Sequence, residues 1–280
     1  MKIRIAHSPD SDDAFMFYAL TTGKIDTEGL QIEHVLADIE TLNREALRGT
    51  YEVSAISLHA YPYVADKYLV LPSGGSVGEG YGPIVVSREG IDSLKGKKIG
   101  IPGRLTTAYL VLKLYEQDFK EVVMPFDRIM DEVEKGVVDA GLVIHEGQLS
   151  YLDRGFEKIV DLGSWWQEKR GLPLPLGCNV VRKDLGGQVI RKIERLMRES
   201  IKYALENEYE ALEFAREYAR DIKEDRDKIY RFVSMYVNHR TLDYGEDGRK
   251  AIRLLLQLGI ERGIINVDMP YTIFSDEVIS

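Results

Sequence analysis

The chain has 280 residues, of which 44% are apolar and 30% charged, and its formal net charge is −9. That length and apolar content build one large or two ordinary domains, while an acidic, interspersed charge pattern argues against a nucleic-acid surface, so any bound anion must be held by local groups. The one cysteine, Cys178, forms no intrachain disulfide, no Cys/His cluster has zinc spacing, and no apolar run approaches a membrane span.

From the N-terminus, "KIRIA" (2–6) reads as a strand entered at once, without the apolar core of a signal peptide, which leads us to expect a cytoplasmic protein. A helix is expected over 12–25, a strand over 30–37, a helix over 39–50 that stops at a glycine, a strand over 51–57 and a short helix over 58–68. The glycine-rich "SGGSVGEGYG" (73–82) lacks Walker spacing and reads as a mobile connection. Then follow a strand at 82–87, "KKIGI" with a helix from Thr106 to Gln117, a strand "EVVMPF", a helix over 127–136, the strand "AGLVI" ending at His145, and a strand at 156–163. "CNVVRKDL" mirrors the earlier "PIVVSREG", and beyond it the chain reads as helical to about Arg262, with a break near Asn207.

Alternating strands and helices predict parallel sheets flanked by helices. Two similar strands bracketing an α/β unit predict two lobes joined by two crossovers. Lobe one would comprise residues 1–87 and 180–280 and lobe two residues 88–179, with hinges near 84–88 and 178–183 and a ligand cleft between. Ligands of such sheets sit beyond the carboxyl ends of the strands. Four ends carry small polar groups: Ser8 after the first strand, Ser57 after the third, Thr106 and Thr107 at a helix start, and His145. Each serine or threonine alone reads as an ordinary N-cap. Four together predict one cleft, because helix N-termini also present unpaired N–H groups to an anion. His145 is the one such histidine in lobe two, and a neutral imidazole there has the chemistry of a general base. His7 joins the first junction, His59 reads as structural or supporting, and His34 and His239 read as exposed. Acidic "DSDD" (10–13) reads as helix-dipole partners, and Trp165 and Trp166 as packing against a sheet.

The stretches "SPDSDDAFMFYAL", "DIETLNREAL", "SGGSVGEGYGPIVV", "IPGRLTTAYLVLKLY", "GLVIHEGQLSY", "DLGSWWQEKRGLPLPLG" and "YVN...LDYGEDG" together resemble the 1,4-dihydroxy-6-naphthoate synthases of the futalosine route to menaquinone, over essentially the whole chain. The resemblance implies a cytoplasmic carbon–carbon lyase with a type II periplasmic-binding-protein-like fold. It would take cyclic dehypoxanthine futalosine, a small-molecule carboxylate, and need no metal or organic cofactor and no nucleic-acid or membrane partner. A homodimer is compatible with the sequence. It places His145 where the family's general base stands, and Ala55, Ile56 and Ser57 with Thr107 and Ala108 on the substrate-contacting segments. Three positions depart from the family pattern. Ala55-Ile56-Ser57 stands where Lys-Leu-Ser is frequent, leaving the lysine's role vacant or filled by Arg104. Asp10-Ser11-Asp12-Asp13 replaces Cys-Pro-Asn-Asp, and Cys178-Asn179 replaces small or apolar residues. Two other readings fit the fold: chorismate dehydratase of the same pathway, and a non-catalytic small-molecule binding protein.

Overall fold

The computed structural model describes residues 1–219 and 222–278, so Arg220 and Asp221, within the expected helical stretch, lie outside the described residues, as do Ile279 and Ser280. Among the described residues the strands form two sheets. The first contains β1 (Lys2–His7), β2 (Gln31–Leu36), β3 (Val53–Ser57), β4 (Tyr68–Val70), β5 (Ser76–Gly78) and, from much later in the chain, β11 (Leu174–Arg182). Their order is β2-β1-β3-β11-β4, with β5 also paired to β11. The second contains β6 (Ile84–Ser87), β7 (Lys98–Ile101), β8 (Lys120–Val123), β9 (Ala140–Val143) and β10 (Glu157–Asp161), in the order β10-β6-β9-β7-β8.

Both sheets are mixed, not wholly parallel as the alternation predicted. The helix-linked trios β1/β2/β3 and β7/β8/β9 are parallel, but β6 runs antiparallel to β9 and β11 antiparallel to β3. These two strands are the ones that arrive from the other lobe, so no right-handed helical crossover sets their direction. The chain leaves the first sheet after Gly78 and enters the second at Ile84, and it returns between Arg170 and Leu174. The crossovers thus lie at 79–83 and 171–173, a few residues before the expected hinges.

The helices follow from caps and apolar spacing. In the first lobe the expected helix over 12–25 splits at Phe17 into α1 (Ser11–Met16) and α2 (Tyr18–Thr21), followed by α3 (Ile39–Arg48). The Asp38 side chain caps α3 by accepting the Thr41 N–H at 3.0 Å, and Gly49 ends it in the left-handed conformation. The second lobe carries α4 (Thr107–Tyr115), α5 (Ile129–Glu134), α6 (Gly147–Ser150) and α7 (Leu162–Arg170). After β11 the chain carries α8 (Gly187–Glu206), α9 (Glu208–Arg216), α10 (Arg226–Tyr236), α11 (His239–Leu242) and α12 (Gly245–Glu261), with the expected break at Asn207. No helix among the described residues is long and apolar enough to cross a membrane.

Ile3, Ile5, Phe15 and Phe17 pack on Ile193, Leu196 and Met197 of α8, closing one face of the first sheet. A second cluster passes through both lobes, from Ile56 and Val180 through Leu110 and Val111 of α4 and Trp166 of α7 to Leu255 and Leu256 of α12. Each such buried side chain stabilises by about 1.5–3 kcal/mol relative to exposure, so the lobes are held together along this side. Trp166 donates from its indole to the Pro173 carbonyl at 3.0 Å and Trp165 meets Tyr115 edge-on, so the tryptophan pair packs as expected. The glycine-rich 73–82 segment is packed, in contrast to the mobile connection expected. A Cβ on Gly75 would lie 2.2 Å from the Tyr244 ring.

At the outgoing crossover two glycines interlock. A Cβ on Gly163 would lie 2.0 Å from the Tyr81 backbone, and one on Gly82 would lie 3.0 Å from the Gly163 nitrogen. Backbone cannot move aside as a flexible side chain can. Gly163→Ala is therefore expected to cost about 1–3 kcal/mol, the range for overpacking, and urea denaturation of the variant against the parent measures it. Unchanged stability would mean the crossover has room that the packing denies.

Candidate active site

The cleft between the sheets closes over a cavity of about 140 Å³ lined from both lobes. Ser8, Ala55, Ile56, Ser57, Thr106, Thr107 and Ala108 all reach its wall, as their strand-end and helix-start positions predicted. His145 does not, although Ile144 and Gln148 on either side of it do. The imidazole is 6% exposed and meets Phe126 edge-on at 5.6 Å. Its Nδ1 accepts the Gly147 N–H at 3.1 Å and lies 3.9 Å from Glu146 Oε2. The ring expected to face Ser57 and Ser8 across the cleft is thus not among the groups that line the cavity. A short turn right after β9 lets Gly147 capture the ring nitrogen locally.

Ser57 is fixed by Asn43, a fully buried residue of α3. The asparagine carbonyl accepts the Ser57 N–H at 2.8 Å and its amide donates to Ser57 Oγ at 3.1 Å. One lone pair of the hydroxyl and the backbone N–H are thereby engaged, so the hydroxyl hydrogen remains for a ligand acceptor. Across the cleft, Thr106 Oγ1 accepts the Tyr109 N–H at 3.3 Å as the cap of α4. The N–H groups of Thr107 and Ala108 come before the helix's own hydrogen-bond ladder begins and face an anion-favouring dipole end. The Thr107 hydroxyl donates to the Leu176 carbonyl of β11, tying this helix start to the first sheet.

Among the described residues no lysine or arginine lines the cavity. Arg104, the candidate substitute for the family lysine, instead pairs with Glu121 at 2.5 Å outside it. The cavity's ionisable groups are acidic. Asp10, Asp12 and Asp13 at the start of α1 all reach the wall. Burial pushes Asp12 well above the usual carboxylate range, and the neighbouring charges of Asp13, Asp10 and Glu146 push the same way. Burial also raises Asp13 to about 6, against the opposing effect of the Ser8 N–H, which donates to its Oδ2 at 2.7 Å. The dipole reading of "DSDD" is correct for their helical position and misses their place on the wall. Among the described residues no group of three His, Cys, Asp or Glu is arranged to hold a metal ion. His7 turns away from the cavity: it stacks on Phe17 at 4.3 Å, and burial lowers it to about 3. The expected exposure of His34 is likewise not found, since the ring is half-buried beside His7, whereas His239 is exposed.

Two polar residues were not anticipated as contacts. Asn179 of β11 is 1% exposed; its amide donates to the Gly74 carbonyl at 2.8 Å, while its Oδ1 has no hydrogen-bond partner. Gln148 of α6 is 6% exposed; its Oε1 accepts the Tyr236 hydroxyl at 2.7 Å, while its Nε2 has no partner. Both residues line the cavity, and buried polar atoms without partners are rare enough to mark a ligand's place. The signals available were small: Gln148 lies three residues after His145, and Asn179 is polar in an apolar strand.

Contacts across the cleft show the lobes closed. Glu40 of α3 accepts the Leu105 N–H at 3.3 Å, Ser11 donates to Glu146 at 3.4 Å, and Lys228 pairs with Asp153 at 2.6 Å. A cavity of about 150 Å³ holds one benzene ring, so any larger ligand enters only when these contacts part.

Comparison with known proteins agrees with this architecture. A crystal structure of a protein from Archaeoglobus fulgidus is 53% identical and superimposes with a TM-score of 0.91, covering 94% of this chain and 98% of that one. The alkanesulfonate-binding protein of Xanthomonas axonopodis, bound to MOPS, is 10% identical with a TM-score of 0.70 and 94% coverage of each chain, which shows the two-lobed periplasmic-binding-protein-like fold alone. A 1,4-dihydroxy-6-naphthoate synthase from Thermus thermophilus is 43% identical over 262 residues, 94% of this chain and 95% of its own. Another from Streptomyces coelicolor is 36% identical over 269 residues, 94% of each. The family profile described as "Menaquinone biosynthesis" matches residues 3–261, nearly the whole span that builds both walls of the cavity, and this chain belongs to that family.

Proposed function

We propose that the chain is a carbon–carbon lyase that converts cyclic dehypoxanthine futalosine to 1,4-dihydroxy-6-naphthoate, acting in the cytoplasm. The observation that carries this reading is the identity to two named synthases along nearly the full chain, joined to a closed two-lobed cavity lined by seven of the expected site residues, His145 apart. The substrate carboxylate would be held by the N–H groups of Thr107 and Ala108 and by the Ser57 hydroxyl, since among the described residues no cationic side chain lines the cavity. Asn179 Oδ1 would accept a substrate hydroxyl, and Gln148 would donate to a substrate oxygen. Closure excludes water and strengthens each of these contacts.

His145 is the proposed general base, supported by the family resemblance and by its place between two cavity-lining residues. With Nδ1 accepting from Gly147, the neutral ring carries its proton on Nε2. To take a proton from substrate it must turn and release the Gly147 N–H, a loss of about 0.5–1.5 kcal/mol that substrate contacts offset. Asp13 offers a second reading, because it already lines the cavity and its pKa is brought to about 6. Turnover of the two folded variants separates them. If His145 is the base, His145→Ala loses about 10²–10⁴-fold in rate with little change in affinity, and Asp13→Asn loses far less. The reverse order would assign the base to Asp13.

Asn179→Leu removes the acceptor while keeping the approximate shape. The expected effect is a fall of about tenfold in kcat/KM, the value of one neutral hydrogen bond, with the fold retained. Steady-state kinetics equal to the parent would remove Asn179 from the substrate's contacts.

The buried Asp13 also makes stability depend on pH. Its folded-state pKa of about 6 exceeds the unfolded value of about 3.9, so the folded chain binds this proton more tightly. The stabilisation is complete below the unfolded value and is lost as pH rises through about 6. Asp13→Asn is expected to gain about 2–3 kcal/mol over the parent at pH 8 relative to pH 4, read from urea unfolding at both pH values. An equal difference at both would show that Asp13 ionises without penalty.

A further inference from the structure

Arg104, Leu105 and Tyr109, which flank Thr106–Ala108 in the chain, line a second concavity of about 430 Å³, and no described residue lines both. Its volume falls in the range of small-molecule sites, about 300–1,000 Å³. It is built from both lobes. His59 and Tyr63 come from the 3₁₀ helix Leu58–Tyr63 and Arg262 from just past α12, while Arg104 comes from the turn before α4 and Tyr109 and Lys113 from α4 itself.

Three features of this wall point to a ligand. The first is charge. Arg104 is neutralised by Glu121 at 2.5 Å, but Lys113 and Arg262 have no carboxylate within ion-pair distance among the described residues. Lys113 donates to the Gln117 carbonyl at 3.1 Å and lies 3.9 Å over the Phe119 ring, which holds its ammonium in place. The second is aromatic surface: His59 stacks on Tyr109 at 6.2 Å with an interplanar angle of 24° and meets Tyr63 at 6.3 Å. The third is a buried acceptor. The His59 Nδ1 lies 3.2 Å from the Thr106 carbonyl, which can only accept, so the proton of the neutral ring is on Nδ1. Its Nε2 is then a lone-pair acceptor, and it is buried without a partner. Burial lowers His59 to about 4, so it stays an acceptor at neutral pH.

We propose that this concavity is a second ligand site, taking a planar aromatic anion that carries a hydroxyl group. Lys113 and Arg262 hold the anionic group, the tyrosine and histidine rings pack on the aromatic plane, and the ligand hydroxyl donates to His59 Nε2. Such a ligand touches both lobes, so its binding favours the closed arrangement, and through His59 it bears on the Thr106–Thr107 segment of the cleft. The site does not depend on which reaction the cleft performs.

The test is calorimetric titration of the full chain with 6-hydroxy-2-naphthoate and with adenosine 5′-monophosphate, at low and high salt. These probes share the aromatic anion and hydroxyl, and distinguish a carboxylate source from a phosphate one. At least one is expected to bind, more weakly at high salt, and to lose about tenfold or more in affinity in Lys113→Glu/Arg262→Glu. The exposed Arg262→Glu alone serves if the double variant loses its fold. Asn179→Leu, which alters only the cleft, should leave this binding unchanged, and the charge variants should keep the parent's turnover without probe. Binding of neither probe, or affinity unchanged by the charge reversals, overturns the proposal.

Discussion

The antiparallel pairing of β11 with β3 is the constraint on which the rest of the molecule depends. It sets Gly177 opposite Ser57, Cys178 opposite Ile56 and Asn179 opposite Ala55. One register therefore places the returning chain beside the wall that carries Ser57, and it puts the Leu176 carbonyl where the Thr107 hydroxyl of the other lobe can reach it. A slip by one residue would turn every one of these side chains to the opposite face. The β4 and β5 strands then pair with β11, so the outgoing crossover is also positioned by the returning one. The cavity wall, the helix start that faces it and the point where the chain changes lobes are consequences of a single ladder.

Much of this was legible in the sequence because strong apolar periodicity and caps are local. β1, β2, β3, β7 and β9, the glycine stop of α3 and the break at Asn207 lie close to where pattern and composition put them. The polar groups at strand ends were legible for the same reason, and seven of the eight expected site residues meet at one cavity. What escaped was set by tertiary contact. β4 and β5 have three residues each, too few for a period-2 signal, and exist because β11 arrives to pair with them. The helix α7 begins at a buried leucine under an Asp161 cap, in a segment whose tryptophans and glycine obscure any period. The ring direction of His145 depends on a bond to Gly147 that no spacing rule predicts. The ligand-facing roles of Asn179 and Gln148 follow from one unmatched atom on each amide, which only the folded neighbourhood reveals.

The cavity also concentrates like charge, with no compensating cation among the described residues that line it. Asp10, Asp12 and Asp13 share the turn at the start of α1, with Glu146 reaching toward them from the other lobe. Closure removes water that would otherwise screen them, so the closed state is one in which carboxylates are driven toward their neutral form. The protein thereby retains protons inside a site where no described lysine or arginine reaches the wall. Stability is sacrificed at neutral pH to keep groups there whose protonation responds to what lies beside them.

The interlocked glycines at the crossover have a further consequence. Gly82 on the way out lies against Gly163 and the Leu174 side chain on the way back, so the second lobe begins and ends at neighbouring points of the chain. A module that is entered and left through one doorway can change its length and contents without moving the host's strands. The first sheet, closed by its own ladder, would keep its shape while a different inserted module offered a different ceiling to the cleft. Diversification of ligand chemistry on this scaffold can therefore proceed by exchange within one contiguous block, with the doorway's bare backbone and the α4 and α7 side chains that share the host's core as the parts that must be inherited intact.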